Sequence, residues 1–258
     1  MNRRDFIAAS GAAGIAPLSA LTSEASGAQA ARQFIELRTY QMHIGPGQER
    51  LHAFMREVAI PAYNEIGVSP VGAFTVMYGQ NTPTLYVVIP HPSLEDFVSS
   101  RERLLAQQAY REAVATSMDQ TNYIRYDSEL LHAFEGMPQV AAPDAAEAGN
   151  PRIFELRTYE SHNARRAERK IEMFNKGEID IFRETNLTPV FFGETLIGNR
   201  LPNLTYMITH EDMAARDENW QAFLEHPDWE EMSQDPYYAD TVSNITDIVL
   251  SPTGYSQI

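Results

Sequence analysis

Three side chains that could bind or transform a polar molecule alternate along one short segment near the start of the chain. Glu36, Arg38 and Tyr40 lie within "FIELRTY", residues 34 to 40. If this segment is a β-strand, the three side chains share one face, because successive side chains point to opposite faces. A guanidinium beside a carboxylate can pair with it or bind the acid group of a ligand.

The same segment occurs a second time in the chain. Residues 153 to 159 read "IFELRTY", so Glu155, Arg157 and Tyr159 repeat the three side chains at an offset of 119 residues. The offset continues without a gap as far as residue 91, and a period this long that occurs twice indicates two related domains. The repeated residues outside this segment include the four histidines His43, His91, His162 and His210.

Each half carries the same succession of hydrophobic patterns. In the first half, residues 34 to 42 alternate as a strand and residues 48 to 66 have helical spacing, with Pro61 predicted to kink the helix. Two strands, residues 71 to 78 and 84 to 89, flank a turn, and a second helix and a last strand follow. This order predicts a ferredoxin-like βαββαβ unit in each half.

Two such units in one chain can cover one another's open sheet faces. We therefore predict an α+β fold in which two ferredoxin-like units, residues 31–135 and 153–258, pack sheet to sheet. Residues 136–152 are rich in Gly, Pro and Ala and are predicted to be a linker. Mutual covering within the chain predicts a monomer with an internal pseudo-dimer, and a homo-oligomer is the alternative.

The first thirty residues differ in composition from the rest. Arg3 and Arg4 precede a stretch rich in Ala and Gly, and Ala28 and Ala30 form a small-x-small site. These features predict a twin-arginine signal peptide over residues 1–30 and a periplasmic or secreted product. A disordered N-terminal tail is the alternative.

Composition excludes several kinds of site and partner. The chain has no cysteine, so neither a disulfide nor a thiolate is possible. Its net charge of −15 disfavours nucleic acid and anionic membranes as partners. No segment offers eighteen consecutive apolar residues, so no membrane span is predicted.

The duplicated strand resembles the NIPSNAP family. The pentapeptide "ELRTY" opens the first strand of both halves, and Trp220-x-x-Phe223 with His226-Pro227-Asp228-Trp229 is similar to that family's C-terminal pattern. The resemblance covers residues 34 to about 132 and 153 to about 251. It implies a dimeric α/β-barrel fold formed within one chain.

The charged residues of the two strands have two interpretations. In the first, Glu36, Arg38, Glu155 and Arg157 form an ion-pair network where the two sheets meet, and we favour it because no nucleophile or metal set accompanies them. In the second, they and the tyrosines line a cavity and bind a polar ligand. The ligand-binding candidates are Glu36, Arg38, Tyr40, Glu155, Arg157 and Tyr159.

Histidines and aromatic residues supply the remaining candidates. His43, His91, His162 and His210 are the catalytic candidates, as bases or haem ligands, but surface histidines near turns are the favoured interpretation because no metal-binding spacing accompanies them. No metal and no cofactor is predicted. Aromatic residues including Tyr40 and Tyr63 could form the wall of a pocket, and ordinary core packing is the favoured interpretation.

Three functions remain open on this sequence. The favoured one is a non-catalytic protein that binds a small apolar or amphipathic ligand or a partner. The alternative is a cofactor-independent oxygenase or isomerase, with a histidine as base and Arg38 or Arg157 stabilising an anionic intermediate. A haem protein of the same fold group ranks third.

Overall fold

A computed structural model describes residues 30–77, 82–117, 120–143 and 152–258 of the chain. The predicted signal peptide up to residue 29, the tip of the first hairpin and the later part of the predicted linker lie outside the described residues. No helix in the described ranges is both long enough and apolar enough to cross a membrane.

The first repeat contains four strands and four helices. Its strands are β1 (Phe34–Gln41), β2 (Gly72–Val76), β3 (Thr84–His91) and β4 (Arg125–Ala133). Its helices are α1 (Pro46–Phe54), α2 (Ile60–Glu65), α3 (Leu94–Ala106) and α4 (Gln108–Ser117). The order follows the prediction, except that two helices stand between β3 and β4 where the hydrophobic pattern predicted one.

The second repeat reproduces the first at the same offset of 119 residues. Its strands are β5 (Ile153–Glu160), β6 (Thr188–Ile197), β7 (Asn203–His210) and β8 (Asn244–Pro252). Its helices are α5 (Ala164–Met173), α6 (Ile179–Glu184), α7 (Met213–Leu224) and α8 (Pro227–Gln234), followed by a short 3₁₀ helix, Pro236–Tyr238. Positions of the two repeats can therefore be compared one by one.

The eight strands form one closed barrel. Their order around it is β1-β3-β2-β8-β5-β7-β6-β4, and the antiparallel pairs β2–β8 and β4–β6 join the two repeats edge to edge. The inner faces of both sheets share one apolar core, in which Phe74 and Phe154 lie 4.7 Å apart between ring centroids. The predicted intrachain dimeric α/β-barrel is confirmed.

Helices cover the outer face of each sheet, so the first strand of each repeat is buried on both faces. Ile35 and Leu37 of β1 point into the barrel core. Glu36, Arg38 and Tyr40 therefore point the other way, toward the helices of their own repeat. Each repeat has a separate second core between its sheet and its helices.

The first helix of each repeat contains a π-helical segment. It covers Met55–Ala59 between α1 and α2, and Phe174–Glu178 between α5 and α6. Pro61 follows the first of these segments, but Asp180 occupies the equivalent position in the second repeat. The irregular segment therefore recurs in the second repeat without a proline at this position.

Residues 136–143 of the predicted linker pack against the barrel. Val140 is buried in the barrel core, and the Ala141 amide donates a hydrogen bond to the Val190 carbonyl at 2.9 Å. Ile258 is buried in the same core, and the Tyr255 hydroxyl lies 2.6 Å from Nδ1 of His52 on α1. Segments outside the eight strands thus help to fill the barrel and to hold a helix against it.

Candidate functional site

The two sets of charged residues form separate networks, one in each repeat, between the sheet and its own helices. The interpretation that they form one network where the two sheets meet is wrong. The physical reason is the alternation of β1 and β5, which points the apolar side chains into the barrel and the charged ones outward. No hydrogen bond or ion pair among the described residues joins one network to the other.

Glu36 is the centre of the first network and is almost fully buried. Its carboxylate accepts hydrogen bonds from Arg38 Nε at 2.5 Å and Nη2 at 3.0 Å, and from the Ser128 hydroxyl at 2.6 Å. His91 Nε2 lies 3.5 Å from the same carboxylate. Burial would raise the pKa of Glu36, but His91 and the charge and hydrogen bonds of Arg38 outweigh it and lower that pKa to about 2.

Glu155 is the centre of the second network and has more partners. It accepts from Arg157 Nη1 at 2.5 Å, from Arg216 Nε at 2.7 Å and Nη2 at 3.1 Å, and from Trp220 Nε1 at 3.0 Å. Both arginines also contact Asp247, at 3.0 and 3.1 Å. Burial would raise the pKa of Glu155, but these donors and His210 hold it well below its usual range.

The four histidines occupy two different environments. His91 and His210 are buried beside Glu36 and Glu155, so the interpretation of these two as surface histidines is wrong. They are the last residues of β3 and β7. Their side chains lie on the helix-facing side of these strands, as do those of Ile89 in β3 and of its equivalent Ile208 in β7. His43 and His162 are exposed after β1 and β5. In the described ranges, no three His, Asp or Glu side chains cluster as a metal site would require.

An open cavity lies beside the first network, under the helices of the first repeat. Its volume is about 240 Å³. Arg38 and Tyr40, two of the predicted ligand-binding residues, line it, whereas His91 does not. The other lining residues are Leu51, Phe54, Tyr63, Arg101, Leu104, Tyr110, Val114, Ser117, Asn122, Tyr123 and Tyr126.

Most polar groups of this cavity can donate a hydrogen bond. Burial raises the pKa of the Tyr40, Tyr63 and Tyr110 hydroxyls, so all three are protonated at neutral pH. The Tyr63 hydroxyl is buried and has no hydrogen-bond partner among the described residues. Arg38 and Arg101 add two guanidinium groups, and no described lining residue is a carboxylate.

Two of the equivalent positions in the second repeat carry side chains that contact its own buried groups. Lys170 occupies the position of Leu51, and its ammonium pairs with buried Glu178 at 2.7 Å and lies 4.8 Å from the Phe174 ring centroid. Trp220 occupies the position of Arg101, and its ring lies 4.6 Å from the Arg157 guanidinium carbon. Among the described residues, the first repeat therefore has an open cavity bordered by Leu51 and Arg101, where the second repeat has Lys170 and Trp220 in contact with its own side chains.

Most of the cavity was missed by sequence reasoning. Tyr40 and Tyr63 were candidates for a pocket wall, but Arg101, Tyr110 and Tyr123 were not singled out. The signal that could have identified them is the difference in residue type between equivalent positions of the repeats, such as Arg101 against Trp220 and Tyr110 against Trp229. Other aromatic residues, among them Phe182 and Tyr206, lie in the core of the second repeat, in agreement with core packing as the favoured interpretation of the aromatic residues.

Glu36 should make stability depend on pH in the acid range. Its folded pKa of about 2 lies below the ordinary 4.5, so its ionised form stabilises the fold above pH 4.5 and this contribution is lost as the pH falls toward 2. The difference corresponds to about 3 kcal/mol. In urea unfolding, we expect Glu36→Gln to be less stable than wild type at pH 7, and the difference to shrink below pH 4.5 as the pH falls toward 2.

A constant difference between the two proteins at every pH would show that Glu36 does not titrate as described. Asp247 has the opposite effect in both proteins, because burial and Glu155 raise its pKa to about 6. Its contribution to stability is lost as the pH rises from about 4 to about 6. The contribution of Asp247 is the same in both proteins, so it cancels in the difference between their free energies of unfolding.

Solved structures share this fold at low sequence identity. A provisionally assigned monooxygenase from Lactobacillus acidophilus NCFM is 12% identical, with a TM-score of 0.60, over 86% of this chain and 94% of that one. A second provisionally assigned monooxygenase, from Fusobacterium nucleatum, is 9% identical with a TM-score of 0.53, over 86% and 93% of the two chains. These likenesses concern the fold alone.

The sequence itself matches a family model. No curated protein matches the chain. The NIPSNAP model matches it twice, over residues 35–135 and 154–257, which correspond to the two repeats of the barrel. Because the two matches together cover most of the chain, this protein belongs to the NIPSNAP family.

Proposed function

We propose that this protein binds one small amphipathic molecule in the cavity of the first repeat and does not transform it. The observation that carries this proposal is the Tyr63 hydroxyl, which is buried in the cavity wall without a partner among the described residues. The second repeat has Phe182 at this position and so has no hydroxyl to satisfy.

An unpaired buried hydroxyl has an energetic cost of about 1–3 kcal/mol, which a ligand that accepts its hydrogen bond would remove. The apolar side chains of the wall are Leu51, Phe54, Leu104 and Val114, and the rings of several tyrosines add further apolar surface. Ligand sites of this kind combine mostly apolar walls with a few convergent polar groups. A volume of about 240 Å³ favours a small molecule.

The alternative of a cofactor-independent oxygenase has less support. Two structures with the same fold are provisionally assigned as monooxygenases, but their low identity transfers no activity to this chain. The described residues that line the cavity include no histidine and no carboxylate that could act as a base. His91 pairs with Glu36 and does not line the cavity, so no histidine among the described lining residues could act as a base or bind haem there.

We also propose that the protein is exported through a twin-arginine signal. The support comes from the sequence, in which Arg3 and Arg4 precede an Ala- and Gly-rich stretch that ends at Ala30. A periplasmic or secreted protein with an acidic surface would take its ligand from outside the cytoplasm. The closed barrel leaves no unpaired sheet edge that requires a partner subunit, so we propose that it acts as a monomer.

Native mass spectrometry of the protein purified from its own organism tests these proposals together. We expect the chain to begin near residue 31 and to carry one small molecule that is released on denaturation. Retention by Tyr63→Phe should be weaker, because this variant removes the unpaired hydroxyl and little else. A full-length chain would contradict export, and equal retention by Tyr63→Phe would contradict the binding site.

A further inference from the structure

We infer that the ligand of the first repeat is a small aromatic acid, that is, a flat ring carrying a carboxylate or a comparable anionic group. This inference rests on the proposed function and names the chemical class of its ligand. It comes from comparing the two arginines that occupy equivalent positions in the duplicated fold, Arg38 and Arg157.

The second repeat satisfies its arginine with an internal acid and an internal ring. Asp247 lies opposite Arg157 on the neighbouring strand, and its carboxylate accepts a hydrogen bond from Nη1 at 3.0 Å. The indole of Trp220 lies over the same guanidinium, 4.6 Å from its carbon to the ring centroid. These two groups add to the pairing of Arg157 with Glu155, and the Arg157 Nε stays without a hydrogen-bond partner among the described residues.

The first repeat lacks both groups at the equivalent positions. Ser128 lies opposite Arg38 and donates its hydroxyl to Glu36, so no second carboxylate reaches this guanidinium from that position. Arg101 stands where the second repeat has Trp220, so no indole covers Arg38. The Tyr126 ring, which is part of the cavity wall, has its centroid 5.7 Å from the Arg38 guanidinium carbon. The open cavity lies beside Arg38, where a ligand could supply an acid and a ring.

The local charge also favours an anion. In the second network, two arginines, Arg157 and Arg216, are balanced by two carboxylates. In the first repeat Arg38 is balanced by Glu36, and Arg101 adds a further positive charge at the cavity. The chain as a whole has a net charge of −15, so this local excess is opposite in sign to the charge of the protein.

The remaining lining accounts for the ring of the ligand. Tyr40, Tyr123 and Tyr126 form a cluster with centroid separations of 5.3 to 6.0 Å, which offers ring edges and faces to a flat molecule. Tyr63 lines the same cavity, and its buried hydroxyl has no hydrogen-bond acceptor among the described residues. The cavity lining offers hydrogen-bond donors, and no described lining residue is an acid. Such a lining binds an oxyanion better than a cation or an ammonium group.

The test uses a matched pair of probes, 2-naphthoate and 2-naphthamide, which differ in charge and hardly in shape. We expect the wild-type protein to bind the acid roughly 10- to 100-fold more tightly than the amide, because a hydrogen bond to a charged group is the stronger one. Ser128→Asp places the second repeat's carboxylate beside Arg38 and should abolish this preference. Arg101→Gln removes the other cation and should reduce the preference without closing the cavity.

The outcomes separate the ligand class from the proposed site. Suppose that wild type binds the acid and the amide equally tightly and that Arg101→Trp binds neither probe. This result would overturn the aromatic-acid inference and leave the binding cavity in place. If Arg101→Trp binds the probes as tightly as wild type does, the probes bind elsewhere, and the proposed function is overturned too. If Ser128→Asp fails to fold, Arg101→Gln decides, and an unchanged preference in it would overturn the inference. No binding of either probe at millimolar concentration would also overturn it.

Discussion

Glu155→Gln should lower the free energy of unfolding by about 3–5 kcal/mol, the largest loss of stability expected from one substitution in this chain. Glu155 accepts hydrogen bonds from Arg157, Arg216 and Trp220, and its side chain is fully buried. A glutamine offers one acceptor oxygen, and its amide group turns two further donors toward the arginines. The substitution leaves two buried or half-buried guanidinium groups with Asp247 as their remaining carboxylate.

Urea unfolding at pH 7 measures this loss, and the same chemical change on the surface provides the control. Glu168→Gln breaks an exposed pair with Arg165 and should cost less than about 1 kcal/mol. Glu36→Gln should fall between the two, because Glu36 pairs with one arginine where Glu155 pairs with two. If Glu155→Gln were as mild as Glu168→Gln, the second network would not stabilise the fold as described.

Arg101→Trp should reduce binding of 2-naphthoate at least about 100-fold while leaving the protein folded. The variant gives the first repeat the residue that closes the second one, where Trp220 covers Arg157 and donates to Glu155. An indole at residue 101 can cover Arg38 in the same way and take the space of the ligand's ring. The fold already accommodates this side chain once on an equivalent helix, α7.

The control places the same side chain on the same helix outside the cavity. Glu102 is exposed on α3 and does not line the cavity, so Glu102→Trp should bind 2-naphthoate as wild type does. Thermal unfolding of both variants checks that any loss of binding is local. Wild-type affinity in Arg101→Trp would contradict the placement of the ligand beside Arg38.

The duplicated order of elements could be predicted from the sequence because each repeat carries a complete set of local signals. Alternation at residues 34 to 42 and helical spacing at residues 48 to 66 correspond to β1 and to α1 with α2. The edge pairing of β2 with β8 and of β4 with β6 has no local signal, because it joins segments far apart in the chain. The same holds for Val140 and Ile258, whose burial depends on where the barrel closes.

The direction of the charged side chains could not be predicted from alternation alone. In a strand that is buried on both faces, apolar and charged residues alternate between two interiors, and the pattern does not say which one faces the barrel. Glu36 and Arg38 were therefore expected where the sheets meet, and they lie under the helices instead. His91 was expected at the surface and is buried, because a strand end can lie beneath a covering helix.

Duplication followed by divergence explains why one repeat has a site and the other does not. Both keep the Glu–Arg pair, which anchors the first strand to its surroundings in each repeat. The second repeat has Lys170, Trp220 and Asp247 where the first has Leu51, Arg101 and Ser128. The first repeat has a cavity beside these positions.

Isothermal titration of the wild-type protein with 2-naphthoate tests this asymmetry most directly, because it counts sites. A symmetric duplication would provide two sites in each chain, whereas an open first repeat and a closed second repeat provide one. The expected result is one molecule bound per chain, and none in Arg101→Trp. Two molecules per chain, or one that remains bound in Arg101→Trp, would contradict the account.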